Sequence, residues 1–387
     1  MILKIIALII LLSLLLELLH QFRLNSPLIL KPKSYKANKT NTKQTYTVWL
    51  EIFNSHKSME VMIPSFKVNP KIIGISKEEI GSIKNKIKIS NLNDLEYKDD
   101  YFPACIIKSQ DSTSIKVVIE FEINEIDNNK IECIWLDIEW INYGPFGICT
   151  RFDGLVIPNL SIKANDKFSS TNYIQPVKTH ILGSLDDPIK VLKYYLPKNY
   201  LPTDILTIGE SPLSTMQGRY IDYKSLNISF LAKILCKGFH PTSSLATACG
   251  MQTLINISRP TRVLFASIIG GISKLFGIKG LFYRLAGDQA RLIDDITGTT
   301  PPYDKSIVLG PIETQLFCRS ASKQLGINVA IVDVNDLGRV KILSVNNPKI
   351  LTTIKNALSS NPAGNSNQHT PIVLIRPSRK EKISQVK

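Results

Sequence analysis

Cysteine is scarce, with six residues in a chain of 387. So few in so long a chain exclude a disulfide scaffold. No CxxC pair, no HExxH and no G-x-x-x-x-G-K-[ST] loop occurs, which removes the commonest zinc and P-loop signatures. Cys236, His240 and Cys249 offer only three candidate metal ligands, at an unfamiliar spacing, and buried thiols beside an ordinary histidine explain them better. Acidic residues are the minority, 32 against 47 Lys and Arg, for a net charge of +15. Such an excess suits nucleic acid, an anionic membrane surface or a phosphate-bearing substrate, or simply a Lys-rich surface. No Lys/Arg stripe interleaved with aromatics supports nucleic acid. Hydrophobic residues at 44% and charged ones at 20% exclude a chain disordered throughout.

Long apolar runs are also few. Met1 to Leu19, MILKIIALIILLSLLLELL, carries only Lys4 and Glu17 as side-chain charges. Nineteen helical residues would rise about 28 Å, close to a bilayer core. The following HQFRLNSPLIL holds no small-x-small cleavage triplet, so an uncleaved transmembrane anchor over residues 1–22 is expected. Arg23, Lys31, Lys33, Lys36 and Lys39 follow the run, which predicts a single-pass membrane protein with its bulk on the cytoplasmic side. A second run, Val263 to Leu285, is interrupted by Lys274, Lys279 and Arg284 and weakened by glycines. It reads as a buried or membrane-lying amphipathic helix.

The rest predicts an α+β chain. Residues 23–44 read as a polar tether. Residues 45–164 form a β-rich, sandwich-like domain, because TYTVWLEIF, SIKVVIEFEI and KIECIWLDIEWI are rich in β-branched and aromatic residues. Asp127 to Lys130 reads as a hairpin turn between two of these runs, and Trp135 and Trp140 as packing residues. Residues 165–377 mix both periods. Asp187-Pro188 starts a helix, DILTIG, KSIVLG, VAIVDV and PIVLIRP suit buried strands, and TQLFCRSASKQLG is an amphipathic helix closed by Gly326. Residues 378–387 are a charged tail.

Three stretches carry candidate chemistry. GDQARLIDDITGTTPPYD gathers Asp288, Asp294, Asp295 and Asp304. Clustered carboxylates in a folded loop need a cation or a basic partner, although a solvated Asp-rich turn has the same composition. VAIVDVNDLGR ends a buried strand on Asp333, Asn335, Asp336, Gly338 and Arg339. Strand ends are where α/β active sites lie, and Asn-Asp-x-Gly is equally good turn chemistry. DILTIGESPLSTMQGRYIDY leads a strand into a turn with Glu210, Ser211, Ser214, Gly218 and Arg219, able to hold an anion.

Taken in order, IQPVKTHILGSLDDPIKVLKYYLPKNYLPTDILTIGESPLSTMQGR, LGINVAIVDVNDLGR and PIVLIRP resemble segments of the coenzyme F-420:gamma-glutamyl ligase family, over roughly the C-terminal half of the chain. The resemblance implies a gamma-glutamyl-ligase-like domain over residues 165–377. It implies an acid–amino-acid ligase that activates a carboxylate of a coenzyme-like acid with GTP and joins it to L-glutamate. It also implies a divalent metal (Mg or Mn), a monovalent cation such as K+, and an intertwined homodimer. Carried onto this sequence, Asp295 and Asp336 would be metal ligands, with Asp294 and Asp333 as alternates. Lys178, Ser214, Gly218 and Arg219 would line the nucleotide or substrate pocket, and Gly338 and Arg339 would lie near phosphate. Ser211 and Gln217 stand where the family has Lys and Glu, and Asn335 where it has Asp unless the register shifts onto Asp336. The alternative is a ligase-fold protein that binds an anionic ligand or partner at the membrane without catalysis.

Overall fold

The computed structural model describes residues 4–6, 8, 9, 11, 12, 15, 26–40, 43–75, 83–91, 102–122, 130–160, 173–278, 280–295, 301–334, 339–364 and 369–377. Among them no helix is long and apolar enough to cross a membrane. This corrects the expected transmembrane anchor over residues 1–22, and with it the single-pass, cytoplasm-facing localisation.

The first domain is an antiparallel sandwich. Its strands are β1 (Leu28–Lys39), β2 (Lys43–Asn54), β3 (Val61–Ile73), β4 (Lys84–Asn91), β5 (Cys105–Ile107), β6 (Ser112–Glu122), β7 (Cys133–Gly144) and β8 (Gly147–Pro158). One sheet runs β1-β2-β6-β4 and the other β5-β3-β7-β8. Strict alternation fills the space between them. Val48, Leu50 and Ile52 of β2 and Ile115, Val117 and Ile119 of β6 meet Leu136, Ile138 and Trp140 of β7. The buried indole of Trp140 donates to Asp153 Oδ2 at 2.7 Å, so its one polar atom is satisfied.

Two expectations for this region change. The tether is a strand. β1 is an edge strand whose lysines face solvent, with Lys33 paired to Glu51 at 2.7 Å, and its register slips between Pro32 and Ser34, where proline cannot donate. The lysines that suggested membrane orientation are therefore the polar edge of a sheet. Asp127 to Asn129 of the expected hairpin turn lie outside the described residues, and the strands on either side do not pair with each other: β6 pairs with β2 and β4 while β7 pairs with β3 and β8. β6 and β7 therefore belong to different sheets.

The second domain is built on β9 (Ile174–Val177), α1 (Pro188–Tyr195), β10 (Ile205–Gly209), α2 (Glu210–Met216), β11 (Tyr220–Asp222), α3 (Phe230–Leu235), α4 (Ala248–Ser258), α5 (Pro260–Leu275), α6 (Leu281–Ala286), β12 (Ser306–Val308), α7 (Thr314–Leu325), β13 (Asn328–Val334), β14 (Val340–Val345), α8 (Leu351–Leu358) and β15 (Ile372–Ile375). A five-stranded sheet runs β14-β13-β10-β15-β9, in which β10 and β13 are parallel and the other pairs antiparallel. Both faces are covered, which is why its strands read as continuous apolar runs. Leu206, Ile208, Val329 and Ile331 pack on α1 and α7, and Ile205, Ala330, Val332 and Val373 pack on α8. Asp187 caps α1 by accepting from the N–H groups of Ile189 and Lys190 at 3.0 Å, and Gly326 ends α7 with φ +68°. KSIVLG becomes β12, which pairs with β11 outside this sheet. The run from Val263 to Leu285 is broken into α5 and α6, beside the helical core of Leu226, Met251, Leu254 and Phe282.

The two domains share an apolar seam. Trp135 on the outer face of β7 meets Tyr303 edge-on, with ring centroids 5.5 Å apart, and Tyr303 meets Tyr220 at 5.0 Å. Tyr220 donates to the Gly154 carbonyl at 2.8 Å. Ser225 Oγ donates to the Phe152 carbonyl at 2.7 Å and accepts from its N–H at 2.6 Å.

Candidate functional site

β10 runs out of the sheet into Gly209, and Glu210 opens α2. A cavity of about 310 Å³ lies beside this junction. Its walls are apolar, with Ile181, Leu182, Tyr303, Val332 and Val373 among them, while Glu210, Ser211 and Asp333 supply its polar end. The described lining includes no Lys or Arg.

Two of the stretches singled out in the sequence line this polar end, and the third stands behind it, joined through Ser211. Glu210 comes from the turn after β10 and Asp333 from the end of β13. Asp294 comes from the segment before β12, where its backbone exchanges hydrogen bonds with Val308 at 2.8 and 3.0 Å. Ser211 Oγ donates to Asp294 Oδ2 at 3.1 Å. Lys341 of β14 stands between two of the acids, its Nζ 3.6 Å from Glu210 and 3.8 Å from Asp333. At these separations, with Asp333 half exposed, the ion pairs are loose and contribute little to stability.

Burial dominates the electrostatics. It pushes the Glu210 carboxyl up to about 7, with Lys341 opposing and the Asp333 and Asp294 charges adding to the rise. Asp294 is raised mainly by burial, against the Ser211 hydrogen bond. The sign for stability follows from linkage. Between an unfolded value near 4.5 and a folded value near 7, the folded state holds the extra proton on Glu210. Stability is therefore fullest below pH 4.5 as far as this group is concerned, and declines as pH rises to about 7, by roughly 3 kcal/mol in all. Glu210→Gln is expected to flatten that slope in urea melts run from pH 5 to 8. An unchanged slope would place the titration elsewhere.

The other expected residues lie as follows. Asp295 is buried and faces the helical region, where burial first and its charge second raise the Cys249 thiol. Asp336 and Gly338 lie outside the described residues. Lys178 is exposed beyond β9, and Arg339 is exposed just before β14. Ser214 is fully buried, its Oγ has no hydrogen-bond partner, and it does not line the cavity. Gly218 takes φ +66° at the turn after α2. Arg219 donates from Nε to the Gly310 carbonyl at 2.6 Å and from a terminal nitrogen to Gln289 at 3.0 Å, so its fork holds a loop. Lys341 and Tyr303 went unread in the sequence. Lys341 sits two residues after Arg339, at the start of the strand that pairs with β13, and only the pairing reveals its partners.

The carboxylates of Glu210, Asp294 and Asp333 have the hard-donor chemistry that Mg or Mn takes. Their arrangement does not fit one. Among the described residues no three Asp, Glu, His or Cys groups converge as a metal site, and Lys341 stands between Glu210 and Asp333. What the site can do as it stands is hold a small molecule whose apolar part enters the cavity and whose charged end meets carboxylates and one ammonium.

Residues 29–161 match the family model described as the N-terminal Ig-like domain of F420-0:gamma-glutamyl ligase. The match falls on the sandwich rather than on the C-terminal half that carries the motif resemblance, and it supports a relationship to that ligase family. A comparison with curated proteins found no match. Among solved structures, the yeast GGA1 GAE domain is similar at TM-score 0.20 and 10% identity, over 35% of this chain and 96% of that one. The CupB6 tip adhesin of Pseudomonas aeruginosa follows at TM-score 0.21 and 8% identity, over 34% and 52%. The GAE domain of GGA2p from Saccharomyces cerevisiae gives 0.17 and 11%, over 33% and 99%. Scores this low carry no argument about function.

Proposed function

We propose that this protein is a ligase of the gamma-glutamyl type, joining the amine of L-glutamate to a carboxylate of a small coenzyme-like acid at the expense of GTP. The observation that supports it is the convergence of three separate stretches, with Glu210 and Asp333 lining the polar end of one cavity and Asp294 held behind them by Ser211. In this reading the substrate ammonium faces the carboxylates, and Glu210, titrating near 7, takes the proton that the amine must lose before it attacks. Lys341 pairs a substrate carboxylate. GTP would give its γ-phosphoryl group to the substrate carboxylate, leaving GDP, and the glutamate amine would then displace phosphate from that acyl phosphate to form the amide.

A second reading, a ligase-fold protein that binds without catalysing, is favoured by one observation. Lys341 already partners the acids, and Arg219 is committed to Gly310 and Gln289. Thermal unfolding of the full chain separates the two. The ligase reading expects GTP with Mn or Mg to stabilise by about 2.7 kcal/mol at a hundredfold excess over its dissociation constant, and L-glutamate to add stabilisation that Asp294→Asn with Asp333→Asn removes. If GTP and ATP both leave the midpoint unmoved with either metal, the nucleotide-dependent ligase reading fails and binding of a nucleotide-independent ligand remains.

A further inference from the structure

The helical region between β11 and β12 has a charge pattern unlike the rest of the chain. From Tyr223 to Gly287 it carries eight Lys and Arg and not one Asp or Glu. It also holds the second domain's densest run of exposed large apolar side chains. α5 buries only Val263, Ala266 and Ser273. On its other side Leu264, Phe265, Ile268, Ile272 and Leu275 are 41, 59, 54, 51 and 85% exposed. At 3.6 residues per turn these five fall within an arc of about 100°. Arg262 flanks that arc on one side and Lys274 on the other, and both are exposed. Phe276 and Ile278 continue the apolar surface past the helix end at 78 and 57% exposure.

A contiguous apolar face on a monomer marks an interaction surface. Here its basic flanks and the absence of acids select the occupant. A protein partner or a second copy of this chain would bring this uniformly cationic region against mixed or like charge. An anionic lipid surface offers hydrocarbon for Phe265, Ile268 and Leu275 and phosphate for Arg262 and Lys274 at once.

We infer that α5 and the turn after it dock the protein on an anionic bilayer surface, lying in the headgroup plane without crossing it. The inference is independent of the ligase reading, since none of these residues lines the cavity.

Flotation of the full chain with vesicles of phosphatidylcholine, with and without phosphatidylglycerol, tests it. Binding is expected to anionic vesicles and to weaken with salt. Phe265→Ser with Ile272→Ser should lower partitioning at least tenfold, as should Arg262→Glu with Lys274→Glu, which keeps the apolar face. Phe265, Ile272 and Lys274 are exposed, so an unchanged unfolding midpoint should accompany the loss in the apolar pair; Arg262 Nε also donates to the Leu285 carbonyl at 2.8 Å, so Lys274→Glu alone is the charge variant read against the midpoint. Equal flotation of wild type and both double variants would overturn the proposal, because the apolar segment at residues 1–19 would then carry the binding. So would a dimer in sedimentation that the Phe265 and Ile272 changes dissociate, with no lipid affinity in the parent chain.

Discussion

Trp135→Ala is expected to cost about 3–5 kcal/mol of stability, the usual range for removing a buried indole, although the residue lies in the sandwich and away from its central core. The indole is 7% exposed on the outer face of β7, where Cys133, Val156, Ile181 and Tyr303 surround it. Its Nε1 donates to Asp137 Oδ1 at 2.6 Å, and its ring supports Tyr303. Gly154 across the strand pair leaves it room, since a Cβ there would stand 1.9 Å from the ring. Tyr303 in turn donates to the Leu182 carbonyl at 2.8 Å, and Tyr303, Leu182 and Ile181 are all cavity wall. The loss should therefore be felt at the candidate site as well as at the seam. Urea unfolding measures the first, and hydrogen exchange at residues 179–183 the second. Trp135→Phe, which keeps a ring against Tyr303, should recover more than half of the stability. A loss under 1 kcal/mol with unchanged exchange would mean that the sandwich and the cavity are energetically separate.

Asp204→Ala should remove about 3 kcal/mol or more, for a different reason. Asp204 is fully buried ahead of β10 and accepts from Arg376 Nε at 3.0 Å, from an Arg376 terminal nitrogen at 2.7 Å and from the Leu201 N–H at 2.9 Å. Removing the carboxylate leaves the Leu201 N–H and one side of the guanidinium without their charged acceptor, which is the costly way to break a buried pair. Arg376 keeps some contact with water, its side chain being 21% exposed, and this sets the figure toward the lower end. Chemical denaturation gives the value directly. Asp204→Asn, which retains an acceptor oxygen, should lose clearly less, and a result in which the two variants are equal would assign the effect to packing rather than to the charge.

Much of the fold was legible because burial imposes a period. Val48, Leu50 and Ile52 alternate and form one face of the sandwich, and the unbroken runs around Ile208, Ile331 and Leu374 are strands covered on both sides. β1 was not legible, since an edge strand with Lys31, Lys33 and Lys36 toward solvent has the composition of a tether. The β6–β7 hairpin failed because turn chemistry at Asp127 says nothing of which sheet the next strand joins. At the site, Asp294 and Asp333 were only the alternates to Asp295 and Asp336, because composition does not say which of two neighbouring acids faces the cavity, and Glu210 was one polar residue among several in its turn. Lys341 and Tyr303 acquire meaning only through contacts made by distant segments, with Glu210 in one case and with Trp135 and Leu182 in the other.

The strand order of the second sheet also bears on how the chain comes to be folded during synthesis. β15 lies between β9 and β10, although it follows both by most of the domain. The sandwich, composed of consecutive segments, can close while the ribosome is still at work. The second sheet must hold β9 and β10 apart, with an unfilled slot between them, until residues 372–375 emerge. A chain stopped short of that point would present two open strand edges, the kind of surface that recruits other chains. The final few residues of the second domain therefore decide whether everything after the sandwich is a closed domain or an aggregation template.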